Sequence, residues 1–142
     1  MYIRTGNSSD ACDCGFGIRS IDASNYNVHN NVIHDAEYGV YYRYDSSNVS
    51  SAQIHHNTIF HTATGVVVGD GQSGATVTGV DINDNDIYDD YYWDSPTDIF
   101  HCDGIHTWAT NSGSVTNGMR IFNNHVHGNM GGHTSGFIYA SA

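Results

Sequence analysis

Apolar and polar residues alternate with a period of two in four short stretches. Tyr26 and Val28, Ala52 and Ile54, Val80 and Ile82, and Met119 and Ile121 are apolar pairs two apart, with Asn27, Gln53, Asp81 and Arg120 between them. This spacing predicts strands with one buried face. No stretch carries a 3.6-residue pattern, and Leu, Glu and Lys are scarce, which argues against helices. The strands belong to a repeat of the form apolar, two residues, Asn, one residue, apolar. It runs Val28-His29-Asn30-Asn31-Val32-Ile33, then Ile54-His55-His56-Asn57-Thr58-Ile59, then Ile82-Asn83-Asp84-Asn85-Asp86-Ile87, then Ile121-Phe122-Asn123-Asn124-His125-Val126.

A second pattern, Gly followed by an apolar residue, accompanies each copy at Gly39-Val40, Gly65-Val66, Gly104-Ile105 and Gly136-Phe137, with Gly17-Ile18 ahead of the first. The glycine steps are 22, 26, 39 and 32 residues, and the two longer ones place insertions at about 88–102 and 109–117. Short strands broken by Gly and Asn turns and recurring at such steps predict a stacked coil whose rungs bury their apolar faces against one another. Asn31, Asn57, Asn85 and Asn124 hold one phase of the repeat. An Asn at a tight bend tolerates left-handed backbone, and at ~4.8 Å between rungs its amide reaches the next one.

On these residues, from about position 15 to 142, the chain resembles the right-handed parallel β-helix family, the pectate-lyase-like or polygalacturonase-like solenoids. The resemblance implies an all-β fold: a right-handed parallel β-helix of about five coils with an asparagine ladder, three strands to a coil. The segments around Val28, Ile54, Ile82 and Ile121 then correspond to second strands. Val32-Ile33, Thr58-Ile59, Asp86-Ile87 and His125-Val126 correspond to third strands, and the Gly-apolar segments to first strands. The whole chain, 1–142, is expected to be a single β-helix domain, either a fragment of a longer solenoid or a unit whose ends stack on other subunits.

Composition narrows the function. All four cationic residues are Arg, there is no Lys, and the formal net charge is −11. So acidic a chain has no footprint for a phosphate backbone, which excludes nucleic acid as a partner. The missing Lys excludes Schiff-base chemistry and a P-loop. No apolar run approaches ~18 residues, so no membrane span is expected. The first residues, MYIRTGNSSD, lack a basic-then-apolar leader, so an export signal is expected to be absent or already removed. Cys12, Cys14 and Cys102 are an odd number, fitting neither a disulfide framework nor a zinc pattern.

The resemblance also implies where chemistry would sit: a polysaccharide groove outside the first strands, walled by loops. With Ile18, Val40, Val66, Ile105 and Phe137 inward, one outward column is Arg19, Tyr41, Val67, His106 and Ile138. A second is Ile21, Arg43, Gly69, Trp108 and Ala140. A third, just before the strands, is Phe16, Tyr38, Thr64, Asp103 and Ser135. The fourth rung concentrates carboxylate, imidazole and rings: Asp103, His106 and Trp108, with His101 at its entry and the acidic, aromatic stretch Tyr88-Asp89-Asp90-Tyr91-Tyr92-Trp93-Asp94 just upstream. Aromatic faces suit sugar C–H faces, and carboxylates suit general acid or base work.

Cys102-Asp103-Gly104-Ile105 resembles the Asn-Thr-Asp-Gly-Ile segment of polygalacturonase-type hydrolases, onto whose Asp residue Asp103 maps. The next first strand lacks that family's acidic pair. A second carboxylate for hydrolysis would then come from Asp89, Asp90, Asp94 or Asp98. Lyase chemistry of the pectate-lyase type calls for a basic side chain and calcium, and only Arg19 and Arg43 lie on this face.

The expected function is therefore a secreted, extracellular carbohydrate-active protein, a polysaccharide hydrolase or lyase. Asp103 is the expected general acid or base, with His106 as its partner and His101 assisting. Trp108, Trp93, Tyr92, Tyr41 and Arg43 are the expected substrate-binding residues. The alternative is a non-catalytic structural, adhesive or filament-forming solenoid that associates end to end. No cofactor is required by the sequence. Calcium or another divalent cation fits the family, and His101, Asp103 and His106 are a conceivable set of ligands. The run Asp81-Ile82-Asn83-Asp84-Asn85-Asp86 resembles the start of an EF-hand but lacks its Gly and Glu, and falls to the repeat. His29 and His55, beside the second strands, and His34 and His127, beside the third, are expected to be solvated stacks that make the surface pH-sensitive.

Overall fold

Every strand pair in the computed structural model, which describes residues 15–46, 49–90, 102–132 and 134–141, is parallel. Among the described residues there is no helix. Sheet A contains β1 (Phe16–Ile21), β3 (Val32–Tyr44), β5 (Thr58–Asp70), β7 (Asp86–Tyr88), β8 (Ile105–Trp108), β11 (His125–His127) and β12 (Ile138–Ser141). Sheet B contains β2 (Tyr26–His29), β4 (Val49–His55), β6 (Thr76–Asn83), β9 (Val115–Asn117) and β10 (Arg120–Phe122). The chain alternates between the two sheets from β1 to β7 and then visits each with two strands in turn, so neighbouring strands within a sheet come from successive copies of the repeat.

The register places like on like. Val28 pairs with Ile54, Ile54 with Ile82, and Ile82 with Ile121. Ile33, Ile59, Ile87 and Val126 form a second apolar column, and Val40, Val66, Ile105 and Ile138 a third. Val40, Ile54, Ile59, Val66, Ile82, Ile87 and Ile105 are fully buried in one core. Burial of such side chains contributes roughly 1.5–3 kcal/mol each. Two large polar-tipped residues enter the same core with their hydroxyls satisfied. Tyr42 donates to the Ala23 carbonyl at 2.7 Å, and Tyr44 to the Trp108 carbonyl at 3.2 Å.

The four repeat asparagines bond amide to amide. The Nδ2 of Asn31, Asn57 and Asn85 donates to the Oδ1 of Asn57, Asn85 and Asn124 at 3.0, 2.9 and 2.9 Å. The left-handed backbone expected at these residues falls one position earlier, at Asn30, His56, Asp84 and Asn123 (φ 57, 54, 53 and 56°). Turning the chain there leaves the following Asn free to aim its amide inward. Two further left-handed columns stack in register: Asn25, Ser51, Gly79 and Gly118, and Asp35, His61, Asp89 and Gly128.

The Gly-apolar motif has a steric cause. A Cβ on Gly17, Gly39 or Gly65 would stand 2.6, 2.5 or 2.6 Å from the carbonyl oxygen of the glycine on the next strand. Two details depart from the sequence expectation. The expected third and first strands are continuous in β3 and β5, running through the left-handed Asp35 and His61. The last rung is also shifted by one residue: Ile138 pairs with Ile105 and Tyr139 with His106, so Phe137, not Gly136, lies over Gly104. A one-residue slip exchanges the two faces of a strand. Tyr139 and Ser141 therefore replace Ile138 and Ala140 in the outward columns. The shift follows from Asp103, which holds the amides of both Ser135 and Gly136 and so fixes how far the chain advances before β12.

Candidate functional site

β8 alternates cleanly. Ile105 and Thr107 are buried, while His106 and Trp108 lie on the opposite, partly exposed side. The Trp108 ring lies flat on Gly69 of β5, where an added Cβ would meet its Cε2 at 2.0 Å. Its Nε1 donates to the Asp70 carbonyl at 2.9 Å. The Asp70 carboxylate in turn accepts from the amides of Thr110 and Asn111 at 3.2 and 2.7 Å. Burial pushes that carboxyl up, but the Asn111 and Thr110 amides and the Ser114 hydroxyl outweigh it and hold it below the ordinary carboxylate range. The indole is thus held by a close-fitting floor and a fixed acceptor.

A row of rings continues from it. His106 meets Trp108 edge-on at 5.1 Å between centroids and Tyr139 edge-on at 4.9 Å. On the other side Tyr41 lies 6.5 Å from Trp108, and Tyr38 and Phe16 follow at 5.2 and 4.9 Å from Tyr41. Phe16 and Tyr38 stack on each other at 5.4 Å. Arg19 lies over the Phe16 ring at 4.9 Å. Arg43 donates Nε to Asp45 at 2.6 Å, a bond that raises the guanidinium's already high pKa, so its charge is matched locally.

Asp103 is not on the outer face where the sequence expectation put it: its side chain is 0% exposed. Oδ1 accepts from the amides of Ser135 and Gly136, both at 3.0 Å. Oδ2 has no hydrogen-bond partner among the described residues and stands 3.4 Å from Nδ1 of His106. The carboxyl therefore faces the imidazole from the protein side. Of the carboxyls expected to supply a second acid, the two among the described residues, Asp89 and Asp90, do not present one on this face. Asp89 caps the turn after β11 by accepting from the Asn129 amide at 2.8 Å. Asp90 is wholly buried and accepts from the Thr62 hydroxyl at 2.6 Å. Burial, only partly offset by that hydroxyl, pushes its carboxyl up to about 8.

The structure thus gathers His106, Trp108, Tyr41, Arg43 and Asp103 on one stretch of sheet A. His101, Trp93, Tyr92, Asp94 and Asp98 lie outside the described residues, as do Cys12 and Cys14. Sequence reasoning missed Tyr139, because the glycine motif set the wrong register for the last rung. It placed Phe16 and Tyr38 in the right column but gave them no role. The proposed metal set of His101, Asp103 and His106 is represented here only by the enclosed Asp103–His106 pair. Among the described residues, the set whose ligand atoms converge is Asp86, His125 and His127. No helix of the described residues is long and apolar enough to cross a membrane. No family model matches the chain, and no curated protein and no solved structure matches it.

Proposed function

We propose that the chain is a right-handed parallel β-helix of about five coils, with an asparagine ladder along one corner, that binds an extracellular polysaccharide along the outside of sheet A. Support for the coil comes from the parallel pairing of successive repeats, the three stacked columns of left-handed residues and the amide row. The observation that carries the binding is the unbroken ring row Phe16, Tyr38, Tyr41, Trp108, His106 and Tyr139, which crosses the rungs on one face. Ring faces and edges of this kind suit the C–H faces of successive sugars. A net charge of −11 repels polyanions, so neutral glycans fit better than acidic ones.

Among the described residues, this face supplies His106 for proton transfer in hydrolase or lyase chemistry. Asp103 serves it as a positioning residue from behind. A pair of solvent-facing carboxylates, as hydrolysis by two acids requires, is not found among the described residues. A second reading, end-to-end association, is favoured by Ile138, which continues the inward column of Ile105 on the edge strand β12 and is 51% exposed there. Affinity electrophoresis through gels containing neutral or acidic polysaccharides tests the glycan reading. Retardation by a neutral glycan that is lost in Trp108→Ala supports it. Equal mobility in every gel, with a concentration-dependent rise in mass by light scattering, favours assembly instead.

A further inference from the structure

We propose that Asp86, His125 and His127 form an open site for a zinc-class divalent cation on the outer face of β7 and β11. His125 and His127 are two apart on β11, so both imidazoles project to the same side of the strand. β7 lies alongside in parallel register, with His125 over Asp86 and His127 over Tyr88. One carboxylate oxygen, Asp86 Oδ1, therefore faces both rings, at 3.2 Å from His125 Nδ1 and 3.0 Å from His127 Nε2. All three ligand atoms lie within 4.8 Å of one another.

These separations suit a metal. Bonds of ~2.0–2.1 Å in a tetrahedral site put neighbouring ligand atoms about 3.3 Å apart. Both nitrogen-to-oxygen distances are already near that value, and only the spread between the two nitrogens must close. That closure needs rotation of His125, whose ring lies nearly parallel to that of His127 at 4.0 Å between centroids and whose side chain is 73% exposed. His127 is also steadied from below. Its ring stacks on Tyr88 at 5.2 Å, Tyr88 on Phe60 at 5.1 Å, and Phe60 on His34 at 4.9 Å. The column fixes the plane of the ligand ring, as an outer-shell partner does in established metal sites.

Two imidazoles and one carboxylate select a borderline ion such as zinc over calcium or magnesium, which prefer all-oxygen shells. Three protein ligands leave the fourth position of a tetrahedral zinc to water or an external donor. The strongly negative chain raises the local concentration of any cation. The proposal is independent of the glycan reading, because none of these residues belongs to the ring row.

The test is calorimetric titration of the full chain with zinc chloride, and separately with calcium chloride. One saturable zinc site and no calcium site is expected. His125→Ala and His127→Ala should each weaken zinc by at least about 10-fold, the smallest loss that even a second-shell change produces. His55→Ala, in the separate group His29, His55 and His56 on sheet B, should leave zinc binding unchanged. No saturable zinc binding, or zinc binding that survives the His125→Ala/His127→Ala double variant, overturns the proposal. A readout on the unaltered chain guards against misfolded variants. In zinc-titrated NMR spectra the ring signals of His125 and His127 should move first, and movement of other histidine rings in their place also overturns it.

Discussion

Asn57 donates its side-chain amide to Asn85 across 2.9 Å in the buried interior, with both residues at most 2% exposed. The same Nδ2 also donates to the carbonyls of Val28 and His55, both at 3.0 Å, while Asn57 Oδ1 accepts from the side chain and backbone of Asn31. Replacing Asn57 with Ala leaves several of these buried groups without partners, at ~1–3 kcal/mol for each orphaned group. Asn57→Ala is therefore expected to lower unfolding free energy by roughly 3 kcal/mol or more. Urea unfolding monitored by far-UV circular dichroism measures it. A loss below about 1 kcal/mol would mean that the amides are not paired between strands as described.

Asp90 gives the fold a pH dependence of opposite sign to that of an ion-paired carboxylate. Burial pushes its pKa up to about 8, well above the ordinary carboxylate range. The folded protein keeps the proton while the unfolded chain releases it above about pH 4. The contribution is therefore fully present below the unfolded value and is lost as pH rises through the folded one, at no more than about 1.4 kcal/mol per pH unit. Asp90→Asn removes this term while keeping an acceptor for Thr62. Melting temperatures between pH 5 and 8 should fall for the parent and stay flatter for the variant. Parallel profiles would show that the carboxyl is already ionised at neutral pH.

The glycine column separates two kinds of glycine requirement. A Cβ on Gly39 would meet the Gly65 carbonyl oxygen and Ile59 Cγ2, each at 2.5 Å, so Gly39→Ala forces two strands apart. Gly74 needs a left-handed backbone (φ 77°), but nothing lies within 4 Å of its added Cβ. Gly74→Ala should cost about 1–2 kcal/mol, the conformational penalty alone. Gly39→Ala should cost more, in the range above about 4 kcal/mol that marks a broken core. Chemical denaturation of both variants decides, and equal losses would contradict the close strand approach.

The seat of Trp108 is likewise open to test. A methyl on Gly69 would fall inside the indole, so Gly69→Ala should lift the ring and break the bond to the Asp70 carbonyl. In a Trp93→Phe background, Trp108 emission should shift to longer wavelength and retardation by a neutral glycan should weaken. Unchanged emission would place the indole elsewhere.

Much of this fold was legible because two different physical demands repeat together. Alternation at Val28, Ile54, Ile82 and Ile121 marked a buried face, and the phase-locked Asn31, Asn57, Asn85 and Asn124 marked a turn. Both predicted parallel pairs in the observed register. The last rung was misread because Gly136-Phe137 copies the motif by composition, whereas the hold of Asp103 on two consecutive amides sets the real register. Burial of Asp103 was likewise invisible, since a short polar residue before a strand reads equally well as exposed. The convergence of Asp86, His125 and His127 was present in the repeat, where Asn85-Asp86-Ile87 aligns with Asn124-His125-Val126. It was passed over because stacked surface histidines are ordinarily solvated.

The measurement that bears most directly on the glycan-binding face is a chemical-shift map of the isotopically labelled chain titrated with a neutral polysaccharide fragment. The largest changes should fall on the Trp108 indole N–H, the His106 and Tyr139 rings, and Tyr41 and Tyr38 on sheet A. Changes confined to sheet B residues such as Gln53, His29 and His55, or saturating neutral and acidic fragments that move no signal, would contradict the account.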